Sequence, residues 1–168
     1  MRDVLEKARE TLAELTPLRT DCGRVCGARC CRSLEGEETG MLLFPGEEVL
    51  YENRSGWRLR PTETGDLLLF CSGCCVRSER PLSCRMFPLL PLPSEGGVQV
   101  RMDLRARAVC PLSRMGVQAM DSAFVAAVHQ AGEKLLADSA QRVFLERLSA
   151  EQAELRALKK RFDGFGKG

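Results

Sequence analysis

Nine cysteines in 168 residues, eight of them in two tight groups, constrain this chain more than any other feature. Cys22, Cys26, Cys30 and Cys31 fall within ten residues, Cys71, Cys74, Cys75 and Cys84 within fourteen, and Cys110 stands alone. Thiols that merely fill a core are usually scattered singly along apolar faces. These lie among Gly, Arg, Ser and Pro, in segments with no apolar periodicity. An odd count cannot pair fully within one chain. The opening residues, Met1-Arg-Asp-Val-Leu-Glu-Lys-Ala-Arg-Glu10, carry neither the apolar run nor the cleavage site of an export signal. The expectation is a cytoplasmic chain whose thiols ligate metal, because structural disulfides are rare in a reducing compartment.

Composition narrows the partners. With 44% apolar and 29% charged residues the chain can bury one core, and its length suits one domain. No apolar run approaches the roughly 18 residues of a membrane span. Twenty-five basic residues stand against 23 acidic ones, intermixed, for a net charge of +2. Neither nucleic acid nor a membrane is therefore an expected partner.

Val4, Leu5, Ala8, Leu12 and Leu15 recur at helical spacing and predict an amphipathic helix over 2–15, stopped by Thr16-Pro17. Residues 20–40 predict a loop punctuated by glycines. Pro45-Gly46-Glu47-Glu48 suits the first turn of a short helix. Residues 57–60 and 66–70 predict a hairpin around Glu63-Thr64-Gly65 that runs into Cys71. A second pair, 88–92 and 98–104, has prolines at 88, 91 and 93 that confine its first member to a sheet edge. Val117, Met120, Phe124, Val128, Ala131 and Leu135 predict a helix over 117–138. Helical character continues through Val143, Leu145, Leu148, Leu155, Leu158 and Phe162, with a capping-box pattern at Ser149-Ala-Glu-Gln152 that predicts a break. The predicted class is α+β, in one domain over 1–163. A loop-rich cysteine core with short hairpins occupies 20–111, braced by an N-terminal helix and a C-terminal helical pair over 117–163. A frayed tail covers 164–168.

The first cluster reads Cys22-Gly-Arg-Val-Cys26-Gly-Ala-Arg-Cys30-Cys31-Arg. A regular helix would put Cys22, Cys26 and Cys30 on one face, but Gly23 and Gly27 argue for tight turns instead. The interspersed Arg24, Arg29 and Arg32 favour thiolates and offset their charge. Adjacent Cys30 and Cys31 point in different directions in an extended chain, so each can serve a different site. The spacing resembles the Cys-x3-Cys-x2-Cys cluster of radical S-adenosylmethionine enzymes but has x3 twice, which excludes that assignment. In the second cluster, Cys71-x2-Cys74 across Gly73 is a metal-knuckle spacing, and Pro81 fixes the approach to Cys84. Cys110-Pro111 ends the series as some ferredoxin ligand runs end.

The doublet of the first loop, the segment Cys74-x5-Arg80-Pro81-x2-Cys84-Arg85-x-Phe87-Pro88 and the late Cys110 together resemble the YkgJ-like cysteine-cluster family. The likeness covers about residues 20–111. It implies a zinc- or iron-chelating domain with eight ligands, which fall here on Cys22, Cys26, Cys30, Cys31, Cys71, Cys74, Cys84 and Cys110. Cys75 lies one residue off the family interval and is the spare thiol. Related clusters occur in flagellin lysine N-methylases, although no glycine-rich cofactor loop follows a strand in this sequence.

Tetrahedral zinc or one cubane iron–sulfur cluster takes four cysteines, so eight supply two sites, or one site and a functional thiol set. The glycine-spaced thiols and the Cys-Pro ending favour iron–sulfur over zinc. The remaining signals are bland. His129 lies roughly 120° from the centre of its helix's apolar stripe, facing solvent. Arg156, Lys159, Lys160 and Arg161 suit a solvated helix end. Glu47 and Glu48 need no catalytic role. The leading expectation is a metal-binding protein whose centre organises the fold and serves electron transfer or metal handling. One alternative is a redox enzyme or an accessory of a protein-modifying methyltransferase. Another is a structural zinc module that offers its C-terminal helices to a protein partner.

Overall fold

The computed structural model describes residues 2–32, 40–73 and 75–165. They form a small α+β fold: a helical layer carrying one two-stranded hairpin, and a three-stranded sheet beside the cysteine loops.

Helix α1 (Arg2–Thr11) lays Leu5 and Ala8 against the later helices, and Leu12 just beyond its end is equally buried. It stops at Thr11 although the apolar spacing runs on to Leu15. The carbonyls of Leu12, Ala13 and Leu15 are taken by the guanidinium of Arg77, which replaces a further helical turn with a long-range tether.

Three strands form an antiparallel sheet in the order β1-β3-β2, with β1 at Met41–Leu42, β2 at Trp57–Pro61 and β3 at Leu67–Cys71. The pairing of Trp57 with Cys71 and of Pro61 with Leu67 is the hairpin read from the sequence. Two-residue β1 carries too short a pattern to be foreseen. Leu43, Tyr51 and Leu69 make a small core of their own beneath this sheet. Pro45 and Gly46 form a turn, and the expected short helix is a 3-10 turn at Glu48–Leu50.

After the short helix α3 (Leu82–Met86) and a cis Phe87-Pro88 bond comes the second hairpin, β4 (Leu89–Ser94) with β5 (Gly97–Met102). Pro91 and Pro93 sit inside β4, which is tolerated because a two-stranded sheet leaves each strand one unpaired edge. Helix α4 (Ser122–Leu136) packs directly on this hairpin. A Cβ at Gly132 would stand 2.5 Å from Pro91, so only glycine allows this approach.

Helix α4 begins later than the periodicity predicts. The Asp121 carboxylate accepts from the N–H groups of Ala123 and Phe124, and 117–119 form a separate 3-10 turn before it. Helix α5 (Ser139–Phe165) is one helix, not two. The cap lies at Asp138, which accepts from Ala140 and Gln141, and the expected break at 149–152 does not occur. Gln152 turns away from Ser149 to bind Asp103 and Leu104. Gly164 and Phe165, expected in the tail, belong to α5, while 166–168 lie outside the described residues.

The main core joins α1, α3, β4, α4 and α5 through residues such as Leu12, Met86, Leu89, Phe124 and Leu148. Beyond Gln152, α5 runs along the surface with Leu155, Leu158 and Phe162 exposed. Among the described residues no helix is long and apolar enough to cross a membrane.

Candidate metal centre

The first cysteine loop is more helical than the sequence implied. Cys22–Cys26 forms a five-residue helix, α2, whose first turn is capped by Asp21 and which Gly27 ends at a φ of 67°. Gly27 therefore stops a helix that Gly23, lying within it, does not forbid. A 3-10 turn over Arg29–Cys31 follows. Cys30 and Cys31 are consequently not splayed as in an extended chain. The curled backbone brings their Sγ atoms to 3.9 Å.

The second loop leaves β3 at Cys71 and lands on the first. Gly73 has a φ of 82°, and a Cβ there would stand 2.6 Å from the carbonyl oxygen of Cys31. Only a residue without a side chain permits this backbone-to-backbone seat. Cys74 lies outside the described residues. Cys75 precedes a 3-10 turn, Arg77–Glu79, whose carbonyls are held from three sides. Arg9 and Arg85 both donate to Ser78 O, at 3.2 and 2.7 Å, Tyr51 Oη donates to Glu79 O at 2.8 Å, and Arg85 Nε donates to Arg80 O at 3.0 Å.

Cys84 sits on α3, and what positions α3 is Glu47. Pro81, at its N-terminus, has no side-chain cap to offer. The fully buried Glu47 carboxylate fills that place: its Oε1 accepts from Leu82 N at 2.7 Å and from Arg9 Nη1 at 2.6 Å. Burial pushes the Glu47 carboxyl up, against the pull of the Leu82 N–H and the Arg9 guanidinium. The Glu47 backbone opens its own 3-10 turn, its carbonyl accepting from Leu50 N, while its side chain serves α3. Nothing in the local sequence signals a cap that serves a helix 35 residues away. Glu48 closes its own turn by accepting from Gly46 N.

Cys110 follows a 3-10 segment, Leu104–Ala108, that Gln152 of α5 ties down through Asp103 and the Leu104 N–H. The long C-terminal helix thus fixes the last thiol.

These elements enclose two adjoining cavities. The first, about 80 Å³, is lined by Cys30, Cys31, Cys71, Cys75 and Cys84, with Trp57 and Arg80. The second, about 180 Å³, is lined by Cys22, Cys26, Cys30, Cys84 and Cys110, with Arg77 and Arg80. All eight described cysteines therefore face one cavity or the other, and Cys30, Cys84 and Arg80 belong to the common wall. His129 lines neither; it stands on α4 with Nδ1 3.7 Å from Glu133.

Burial pushes the Cys22, Cys75 and Cys110 thiols up, and Cys84 furthest, with the neighbouring Cys31, Cys75 and Cys71 adding to the effect at Cys84. The hydrogen bond within the vicinal pair raises Cys30 and lowers Cys31, so one proton is kept and the other given up readily. Arg80, though partly desolvated, is held above its ordinary value by its bond to Cys75 and by the charges of Cys31 and Cys84. It is the cation set among the thiols.

An all-sulfur donor set suits zinc or iron and not magnesium or calcium. Among the described residues no three His, Cys, Asp or Glu side chains stand in metal-holding geometry. No family model, curated protein or solved structure matches the chain.

Proposed function

We propose that this chain binds a thiophilic metal centre, zinc or an iron–sulfur cluster, through its clustered cysteines. The bound centre joins segments that the sequence keeps far apart. The observation that carries this reading is the convergence of every described cysteine on two adjoining cavities with an arginine between them. Packing thiols have no reason to converge so, and thiols gathered around shared cavities gain little from burial. When bound, zinc would contribute a structural tie, and an iron–sulfur cluster would add one-electron redox capacity.

The chain's own residues have separable tasks under this reading. Cysteines of the 22–31 loop, the 71–75 turn, α3 and position 110 supply the sulfur donors. Arg80 offsets their negative charge. Glu47, Arg9 and Arg85 hold α3 and the 77–80 turn in place, so that Cys84 and Cys75 reach the cavity. Electron transfer or metal handling is the biochemical role this supports.

The test is anaerobic purification followed by metal analysis and visible absorption. Sulfur-to-iron charge-transfer bands that bleach on reduction support the redox form, and stoichiometric zinc in a colourless protein supports the structural form. A purified, folded protein that holds neither metal nor cluster and takes up none on reconstitution overturns the reading.

A further inference from the structure

The spacing of the cysteines leaves open whether they serve one centre or two, and it sets Cys75 aside. The cavities divide them differently. Cys31, Cys71 and Cys75 line only the first cavity, and Cys22, Cys26 and Cys110 line only the second. Cys30 and Cys84 stand in the wall between and face both. Among the described cysteines, three exclusive thiols on each side and two shared ones make two sets of four, the number that tetrahedral zinc or a cubane cluster takes.

We propose that the cysteines form two separate centres, and that Cys75 is a ligand of the centre beside Trp57. Three features argue for Cys75. Its thiol is half-buried within the cavity that Cys31, Cys71 and Cys84 also line. It lines that cavity together with Arg80, the arginine of the shared wall. Two residues before it, Gly73 is seated on the Cys31 backbone, so the two cysteine loops meet there without an intervening side chain. A thiol whose only role was packing would have no need of this seat.

The two cavities also differ in what a centre would report. Trp57, the only tryptophan in the chain, lines the first cavity and pairs across the sheet with Cys71. It does not line the second. Occupation of the first centre by a paramagnetic metal should therefore quench Trp57 emission, and occupation of the second should leave it much less affected.

The inference rests on the metal-binding reading above, and cobalt(II), the spectroscopic substitute for zinc, tests both separately. Reduced, metal-free full-length protein is titrated with cobalt(II) under anaerobic conditions while thiolate-to-cobalt absorption and Trp57 fluorescence are followed. Two equivalents are expected, one of them accompanied by most of the quenching. Cys75→Ser should bind one equivalent and lose that quenching. Cys71→Ser, altered at an exposed strand end, should do the same and guards against misfolding at position 75. Cys110→Ser should lose the other equivalent and retain the quenching. A single equivalent in the unaltered protein overturns the division into two centres. Two equivalents in Cys75→Ser, with quenching intact, remove Cys75 from the ligand set. In both cases metal binding itself survives. Failure of the unaltered protein to bind any cobalt overturns the metal-binding reading, and this inference with it.

Discussion

The helical half of the molecule and its cysteine half are held by different forces. Around α1, α4 and α5, residues such as Leu12, Phe124, Val128, Leu135 and Leu145 have no solvent contact. Between 20 and 32, and among the described residues of 71–80, not one residue is buried. Burial at about 25 cal/mol per Å² stabilises the first region and contributes little to the second. The cysteine loops depend instead on side-chain-to-backbone hydrogen bonds from Arg9, Tyr51, Arg77 and Arg85, each worth about 1–3 kcal/mol where the donor is charged. A region held in this way opens more readily than the core it is attached to. The comparison teaches where a metal would matter: at the cysteine loops, which bury no residue of their own.

The largest effect should come from breaking the helical side. Phe124→Ala removes a ring with no solvent exposure from the centre of the core and should cost about 3–5 kcal/mol in urea unfolding. Those molecules that remain folded should hold their normal metal content. Loss of metal in proportion to loss of stability would show that the two regions are one cooperative unit.

On the proposed metal-binding reading, the converse experiment strips the centre. Hydrogen exchange should rise steeply at 22–31 and 75–80 and change little in α4 and α5, because binding free energy at the loops is folding free energy for the loops alone. Unchanged exchange and thermal stability after verified metal removal would contradict this.

A smaller perturbation targets the seam between the loops. Gly73→Ala forces a side chain onto a left-handed backbone 2.6 Å from the Cys31 carbonyl, at a cost of about 1–2 kcal/mol for the conformation alone. Cys31 and Cys75 should become more reactive to alkylating reagents while far-UV circular dichroism is preserved. Unaltered reactivity would mean that the contact is incidental.

The smallest effect concerns pH on the helical side. Hydrogen bonds from Ala123 and Phe124, with Arg19 nearby, hold the Asp121 carboxyl below its ordinary value. A depressed acid contributes stability that is complete above its unfolded-state value and is lost as pH falls through the folded one. Asp121→Asn keeps a capping oxygen but removes the charge, so its stability should decline less than that of the unaltered chain between about pH 4 and pH 2. Parallel pH curves would assign the acid sensitivity elsewhere.

Much of this architecture was legible in contiguous residues. The stripe from Met120 to Leu135 encodes the buried face of α4, and 57–61 with 67–71 encode a hairpin, because helix and strand periods are written within a few turns of chain. The cysteine groups and their glycine and arginine surroundings raise the expectation of soft-metal chemistry, which the proposed metal analysis tests. What the sequence misled on were events decided at a distance. Helix α1 stops at Thr11, where Arg77 takes the carbonyls of the following Leu12, Ala13 and Leu15, and the Ser149–Gln152 pattern does not break α5 because Gln152 is bound to Asp103 and Leu104. The cap of α3 by Glu47, the seat of Gly73 on Cys31 and the sharing of cysteines between two cavities belong to the same kind. Periodicity and spacing record which residues are neighbours along the chain. A buried carboxylate 35 residues from the N–H it satisfies, or a thiol facing one cavity rather than the next, is settled only when the packed elements bring those groups within hydrogen-bonding or contact distance.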